Sequence, residues 1–465
     1  MQRRQWIHGA GAAAAGPFIG RAAGANKRIR IGQIGLGARG HYELTLCLKQ
    51  AGVQVAAVCD PFQPLVDLAV KKAGPGVQGC QDFRRVLDRK DIDAVFVSTP
   101  DHWHAPISIL ACQAGKDVYC EKPLTHTVEE GRRMVEAAHR YKRVVQTGSQ
   151  QRSAPHFEKV RELIQSGHIG KVSFIECWNV SNSYPLGCGK PPDGAPPPGL
   201  DWDLYLGPAP KVPYNRNRFL WNYRWFWDYS GGMMTDWGAH HLDSVHHIMG
   251  VDAPLSASSA GGKFLLDDNR ETPDCFRAVF EYPGFVVSYT NNLLNGQRIA
   301  GRSTGMMFHD TAGTLIVDRS SYEVIPEMVR PWEPPRDALD LVEAMLESRR
   351  RDAGYSLGAP PAVRAAAAPP KPGCEALKVT GISLDPEIQI AHIRNWLDCI
   401  RSRKQTAAGW EIGHRSVTAC HLGVIAQKTG RAIRWDAKSE RILGDPEASR
   451  LLSKSYRAPW TLPRV

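Results

Sequence analysis

Three side chains of this sequence have the chemistry and surroundings to move a proton: Lys122, Asp236 and His240. Asp236 and His240 stand four residues apart in Gly231-Gly232-Met233-Met234-Thr235-Asp236-Trp237-Gly238-Ala239-His240-His241-Leu242-Asp243. On a helix, positions i and i+4 share a face, so the carboxylate is placed to orient the imidazole as a general base. Asp243 and His247 continue that face, while Leu242, Val245, Ile248 and Met249 mark a buried one. Asp236 falls in the first turn, where the helix dipole favours its charge. The plainer reading of this pattern is a polar stripe on a surface helix. Lys122 closes Asp117-Val118-Tyr119-Cys120-Glu121-Lys122-Pro123, at the end of an apolar strand. An ammonium held there can hydrogen-bond a hydroxyl and help carry its proton. Its plainer reading is an exposed lysine before a proline turn. His240, His241, His246 and His247, with His102 and His104 upstream, raise the question of a metal. They show no H-E-x-x-H or similar ligand spacing, so no metal is expected.

The elements that must hold these groups begin at residue 29. Ile29, Ile31 and Ile34 form an apolar strand that runs into Gly35-x-Gly37-x-x-Gly40. A helical segment and a second strand (Val53, Val55, Ala57) follow, ending on Asp60, twenty residues after Gly40. That context separates a dinucleotide site from a glycine turn in an ordinary strand–helix unit. Gly35 permits the tight turn, Gly37 lets backbone approach a pyrophosphate, and Gly40 lets helix pack on strand. The phosphates then face the open N–H groups of the helix. Asp60 would accept hydrogen bonds from the adenosine ribose. Its charge repels a 2′-phosphate and Pro61-Phe62 offers no cation, so NAD is favoured over NADP.

The alternation continues through Ala94–Thr99, a helix near 105–115, a strand at 117–120, an amphipathic helix at 128–141 and a strand at 144–147. This predicts a doubly wound parallel sheet, a Rossmann domain over 27–150, with ligands at the carboxyl ends of its strands. The glycine turn supplies Gly35, Leu36, Gly37, Ala38, Arg39 and Gly40 as candidate nucleotide contacts. Later strand ends add Asp60, then Thr99, Pro100, Asp101 and His104, then Glu121 and Lys122, and finally Gln151.

From about residue 151 the pattern changes to alternating strands at 172–178, 275–282, 285–291, 305–309 and 314–318, with helices at 156–166, near 388–403 and near 415–429. The expected second domain, 151–465, is α+β with an open, mainly antiparallel sheet and is the candidate substrate domain. A Pro/Gly-rich stretch at 184–200 is a candidate loop at the site's mouth, and 353–375 reads as a low-complexity insertion. Trp221, Tyr223, Trp225, Phe226, Trp227 and Tyr229 crowd the approach to Gly231. Aromatic faces suit sugar rings and core packing equally, so only one or two need line a pocket.

Residues 1–25 read as a leader. Arg3-Arg4-Gln5-Trp6-Ile7 is a twin-arginine pair, followed by an Ala/Gly-rich run and Ala23-Gly24-Ala25, an A-x-A cleavage pattern. Such a leader predicts a periplasmic or otherwise exported protein that collects its nucleotide before export. A length of 465 residues makes two domains the default. The formal charge of +11 shows no basic block, so no nucleic-acid partner is expected, and no run after the leader is long enough to span a membrane. Eleven cysteines without a C-x-x-C pair argue for reduced, buried thiols rather than a disulfide framework.

Gly35-x-Gly37-x-x-Gly40, Thr99-Pro100-Asp101-x-x-His104, Glu121-Lys122-Pro123 and Gly232-x-x-x-Asp236-x-x-x-His240 occur in that order. Together they resemble the family named for glucose–fructose oxidoreductase, inositol dehydrogenase and the rhizopine catabolism protein MocA. Asp101 departs mildly from a pattern that often has Asn. The resemblance implies catalytic roles for Lys122, Asp236 and His240, and a homo-oligomer paired through the outer face of the second sheet. The tail, from Asn395-Trp396-Leu397-Asp398-Cys399 to Ala458-Pro459-Trp460, looks like the long C-terminal extension of exported members. The main expectation is an NAD-dependent oxidoreductase that takes hydride from a secondary hydroxyl of a sugar, cyclitol or glycoside onto tightly bound NAD. The alternatives are an NAD-dependent glycosidase working by oxidation, elimination, hydration and re-reduction, and a non-catalytic sugar-binding or sensing protein.

Overall fold

Ile31, Gly32 and Ile34 leave almost no surface on β1 (Ile29–Ile34), because the strand lies inside a parallel sheet covered on both faces. In the computed structural model, which describes residues 28–329, 371–382 and 386–465 with the single positions 338, 339 and 342, β1 pairs in parallel with β2 (Val53–Cys59) and β4 (Ala94–Val97). The leader at 1–25 and residues 353–370 of the insertion lie outside the described residues. β3 (Gln78–Cys80), β5 (Asp117–Cys120) and β6 (Val145–Thr147) complete the six-stranded order β3-β2-β1-β4-β5-β6. Helices α1 (Ala38–Leu48), α2 (Gln63–Ala73), the short α3 (Arg84–Leu87), α4 (His104–Gln113) and α5 (Val128–Arg140) make the connections. The order reverses between β1 and β4, which opens a crevice at their carboxyl ends.

After α6 (Pro155–Gln165), β7 (Val172–Val180), α7 (Trp202–Leu206) and α8 (Gly232–Met249) come β8 (Ser256–Gly262), β9 (Cys275–Tyr282), β10 (Phe285–Asn292), β11 (Thr304–Asp310), β12 (Gly313–Val317) and β13 (Tyr322–Pro326). β14 (Met328–Val329) pairs with β15 (Lys371–Pro372), and β16 (Leu377–Val379) joins β13. The chain closes with α9 (Glu387–Ser402), α10 (Trp410–Thr429), β17 (Ile433–Asp436), β18 (Arg441–Ile442) and α11 (Pro446–Arg450). The second sheet has ten strands in the order β16-β13-β12-β11-β7-β10-β9-β8-β17-β18, and only β7 and β10 run parallel. On β9 the side chains alternate: Phe276, Ala278, Phe280 and Tyr282 turn inward, while Arg277, Val279 and Glu281 face out. Helices α6, α8 and α10 cover the inner face. β8 escaped the sequence reading because Ser256-Ala257-Ser258-Ser259-Ala260-Gly261-Gly262 has no β-branched or aromatic residue.

Helices α9 and α10 tie the halves together. Ile393, Trp396 and Leu397 of α9 pack on the first sheet beside Phe96 and Tyr119, with Trp396 and Phe96 ring centres 5.0 Å apart. The first sheet thus takes a covering helix from a segment that lies beyond the 27–150 bounds read from the sequence. α10 lies between the halves, with Trp410 and Val417 in the first core and Leu422 and Ile425 in the second. The tail runs back over the first domain, where Trp460 sits 4.8 Å from Trp103. All eleven cysteines are free thiols. No helix among the described residues is long and apolar enough to cross a membrane.

Candidate active site

A cavity of about 710 Å³ runs from the glycine turn to the N-terminal half of α8, within the usual range of roughly 300–1,000 Å³ for cofactor and substrate sites. Gly35 adopts a φ of +89°, and a Cβ there would stand 2.5 Å from the Ser98 carbonyl group. A Cβ on Gly40 would lie 2.0 Å from the Gly35 oxygen, whereas one on Gly37 would meet nothing within 4 Å. Gly37 thus leaves open space in front of α1, whose N-terminus has no side-chain cap. That is the cradle a pyrophosphate requires. Asp60 Oδ2 accepts the Leu36 N–H at 2.8 Å and Oδ1 accepts that of Phe62 at 3.0 Å. Burial pushes this carboxyl up to about 6, against the pull of those two bonds. Pro61, Leu65, Gln81 and Phe83 line the wall around it, and none of them carries a charge for a 2′-phosphate.

None of residues 184–200 lines the cavity; the last two, Gly199 and Leu200, join the turn after Asp60. Gly199 O accepts Gln63 N–H at 2.9 Å, Asp201 N–H donates to Pro61 O at 2.9 Å, and Leu200 bridges to Phe62. Gln81 Nε2 donates to Pro61 O at 2.8 Å and to Gly199 O at 2.9 Å. These bonds clasp the second domain's long connection onto the turn after Asp60. The lining from this connection comes from Leu204 and Tyr205, then from Phe219, Leu220, Trp221, Tyr223 and Arg224. Among the clustered aromatic residues, Trp221 and Tyr223 line the cavity, while Trp225, Phe226 and Tyr229 form a core of their own.

Lys122 and His240 line the same cavity, one from each domain. Lys122 forms an ion pair with Asp236 Oδ1, and Arg224 Nε donates to Oδ2 at 3.1 Å. Burial pushes Asp236 up, but Lys122 and then Arg224 outweigh it and hold the carboxyl well below its usual range. Here the sequence expectation is corrected. Asp236 and His240 share a helix face, yet the carboxylate is spent on two cations and makes no hydrogen bond to the imidazole. His240 packs edge-on against Trp237, with ring centres 5.7 Å apart. Burial, then the charges of Arg319 and Lys122, push it well down, so it stands neutral. Further along the stripe Arg152 Nε meets both Asp243 oxygens at 2.9 Å, and His247 reaches Glu158 at 3.1 Å.

Four candidate nucleotide contacts lie behind the wall rather than on it: Gly40, Asp101, His104 and Gln151. His104 places Nδ1 2.8 Å from Pro123 O and Nε2 2.9 Å from Thr99 O. Two carbonyl partners require both nitrogens to donate, so this ring is a cation. Burial lowers it, but Cys120, Asp101 and the Pro123 carbonyl outweigh that and raise it to about 10. Asp101 Oδ1 accepts the Tyr223 hydroxyl at 3.0 Å. The pair braces the Lys122–Pro123 turn from within. Gln151 Nε2 donates to Ser244 Oγ at 3.0 Å, and Gln150 lines the cavity in its place. Glu121 accepts Arg39 at 3.0 and 2.8 Å, which fixes the guanidinium beside the turn. Arg224, Trp237, Arg319 and His41 also line the cavity and were not singled out in the sequence. The Trp221-x-Tyr223-Arg224 run, a cation among aromatic residues, was the available signal for Arg224.

Residues 29–149 match the family model described as "Oxidoreductase family, NAD-binding Rossmann fold". Residues 158–260 and 378–462 match that described as "Oxidoreductase family, C-terminal alpha/beta domain". The chain belongs to the Gfo/Idh/MocA oxidoreductase family. Its first domain is accordingly an NAD-binding Rossmann domain. "Inositol 2-dehydrogenase 4" of Saccharopolyspora erythraea is 32% identical over 168 residues, covering 35% of this chain and 48% of that relative. "Alpha-N-acetylgalactosaminidase" of Shewanella oneidensis is 39% identical over 120 residues, 24% of this chain and 26% of that relative. The chain thus spans half or less of the length of these curated family members. The WlbA dehydrogenase from Bordetella pertussis, solved with NADH and UDP-GlcNAcA, aligns with a TM-score of 0.62 at 17% identity over 88% of this chain and 99% of that one. Levoglucosan dehydrogenase, solved with NADH and levoglucosan, gives 0.61 at 18% identity over 88% and 99%. These two likenesses establish the family's fold.

Proposed function

We propose that this chain oxidises a secondary hydroxyl of a sugar, cyclitol or glycoside, with hydride passing to NAD held tightly in the cleft. The observation that carries this reading is that Lys122 and His240, from different domains, meet on the wall of a cavity whose other end is the Gly35-x-Gly37 cradle. NAD supplies the hydride acceptor at its nicotinamide ring. His240, neutral and shielded, takes the hydroxyl proton on a ring nitrogen. Lys122 donates a hydrogen bond to the same oxygen as negative charge develops on it. Asp236 aims the ammonium through its ion pair, with Arg224 fixing its other oxygen. The test is to purify the protein without added nucleotide, identify what heat releases, and follow absorbance near 340 nm with a panel of sugars, cyclitols and glycosides. Bound NAD reduced by at least one class is the expected result; a cleft that takes up no NAD would sink the reading.

The glycosidase alternative draws on the names of the Shewanella relatives and on the clasp at the nucleotide end, which suits a cofactor that is oxidised and restored in place. Its mark would be release of the leaving group with no net absorbance change and no added NAD. A purely binding role is disfavoured by the presence of all three reactive groups in one cavity. The twin-arginine leader supports export, and loss of the exported form when Arg3 and Arg4 are replaced by lysine would bear on that. A homo-oligomer formed through the outer face of the ten-stranded sheet remains part of the proposal, with light scattering on purified protein as its test.

A further inference from the structure

The reacting end of the cavity holds more cations than carboxylates. Lys122 and Arg224 share the single carboxylate of Asp236, and all three side chains are largely buried, at 19%, 11% and 14% exposure. Glu121, on the same wall, is taken by Arg39. Asp60 lies at the opposite end, held by backbone N–H groups. Arg319 also lines the reacting end, 4.7 Å above the Trp237 ring, but the balance does not depend on it. Lys122, Arg224 and Asp236 alone leave one positive charge. A shielded charge of that kind is costly until a ligand brings its opposite.

Arg224 is built to receive that ligand. Its guanidinium lies 4.0 Å over the Trp221 ring and 5.3 Å from that of Tyr223. Nη1 donates to Trp221 O at 2.5 Å and Nε to Asp236. Tyr223 is itself anchored on Asp101. The fork is therefore fixed in plane, and Nη2 makes no hydrogen bond to a described residue. A planar, immobilised guanidinium that lines a cavity and keeps one nitrogen unbonded matches a carboxylate in both shape and charge.

We propose that the substrate carries a carboxylate beside its reacting hydroxyl, as a uronic or aldonic sugar acid does, and that Arg224 receives it. The proposal rests on the redox reading for the location of the substrate and on the charge balance for its class. A bound carboxylate has a second effect. His240 stands in the field of nearby cations, and an incoming negative charge offsets that field, making the imidazole a better proton acceptor while substrate is present. A neutral sugar brings no such change.

The test compares matched pairs, glucuronate with glucose and galacturonate with galactose, plus a sugar sulfate, on the NAD-loaded protein at low ionic strength. Two readouts run in parallel: reduction of bound NAD near 340 nm, and binding by calorimetry or by quenching of Trp221 and Trp237 fluorescence. The acid of each pair is expected to be preferred about tenfold or more in binding and in kcat/KM, as a charge-assisted contact implies. Arg224→Gln should erase the preference, and Arg224→Lys should restore part of it. Preferential binding of the acids without NAD reduction would support the charge assignment while removing the redox reading. Reduction with no preference for acid would do the reverse, and would mean that the positive site serves only the developing alkoxide. Preference for the sulfate over both acids, or equal weak binding of every compound, would overturn the proposal.

Discussion

Gly37 and Gly40 are glycines for opposite reasons, and the difference can be measured. Gly40 has no room for a side chain, because the Gly35 carbonyl fills the space; Gly37 has room in the empty protein and loses it only to a nucleotide. The backbone at Gly37 has a φ of −62°, which any residue accepts. Gly37→Val should therefore fold with an unchanged melting temperature and lose bound nucleotide. Gly40→Ala should lose about 1–3 kcal/mol of stability from overpacking, visible as a lower Tm. Lys122→Ala and His240→Ala should each cut turnover by about 10²–10⁴-fold, the usual worth of a positioned proton-transfer group, while nucleotide stays bound. Near-normal rates would remove those residues from the mechanism. Asp236→Asn separates two pictures of the site. If the carboxylate acts through Lys122, as its ion pair indicates, the variant should resemble Lys122→Ala. If it acts through His240, the loss should follow the pH dependence of the imidazole instead.

The helices and strands that carry these groups were largely legible, because each buried strand is a short apolar run and Gly35, at positive φ, marks the tight turn after the first of them. The wall of the cleft was less so. Sequence places Asp101 and His104 at a strand end, but it does not say whether a side chain at that end looks into the crevice or back under it. Both look back: one holds Tyr223, and the other holds the carbonyls of Thr99 and Pro123. Arg224 was hidden for a different reason. It lies in an irregular stretch with no period that would pair it with Asp236, twelve residues on. The clasp of Gly199–Asp201 onto the turn after Asp60 has no sequence signature, since half of its bonds run between backbone groups and the rest end on backbone carbonyls. It does carry a prediction. Gln81→Ala removes the two side-chain bonds, to Pro61 and Gly199, and leaves the backbone ones in place. Nucleotide release should become faster by about 3–30-fold, the worth of one or two ordinary hydrogen bonds, read from the exchange of bound for labelled NAD. An unchanged rate would show that the clasp does not limit exit.

Across the whole molecule, buried histidines set the response to acid. Burial pushes His102, His241, His246 and His421 down to about 3, and His392 to about 4. In the unfolded chain each would titrate near ~6.5. Below that value the unfolded state binds protons the folded state refuses, so stability falls as the pH drops from about 6.5 toward 4, by up to about 1.4 kcal/mol per histidine per pH unit. His104 has the opposite sign: its raised value adds stability that is fully present below ~6.5 and is lost only as the pH rises toward about 10. Melting temperatures taken between pH 7 and pH 4 should fall steeply, and a flat profile would refute the buried, neutral state of these rings. The helix α9, laid on the first sheet from the far end of the chain, bears on how the protein is made. A ribosome adds about 5–20 residues per second, so the interval between Thr147 and Glu387 lasts roughly ten to fifty seconds. Throughout that wait the faces of Phe96 and Tyr119 that Trp396 will cover stay open. The nucleotide half is thus synthesised long before the helix that completes its cover.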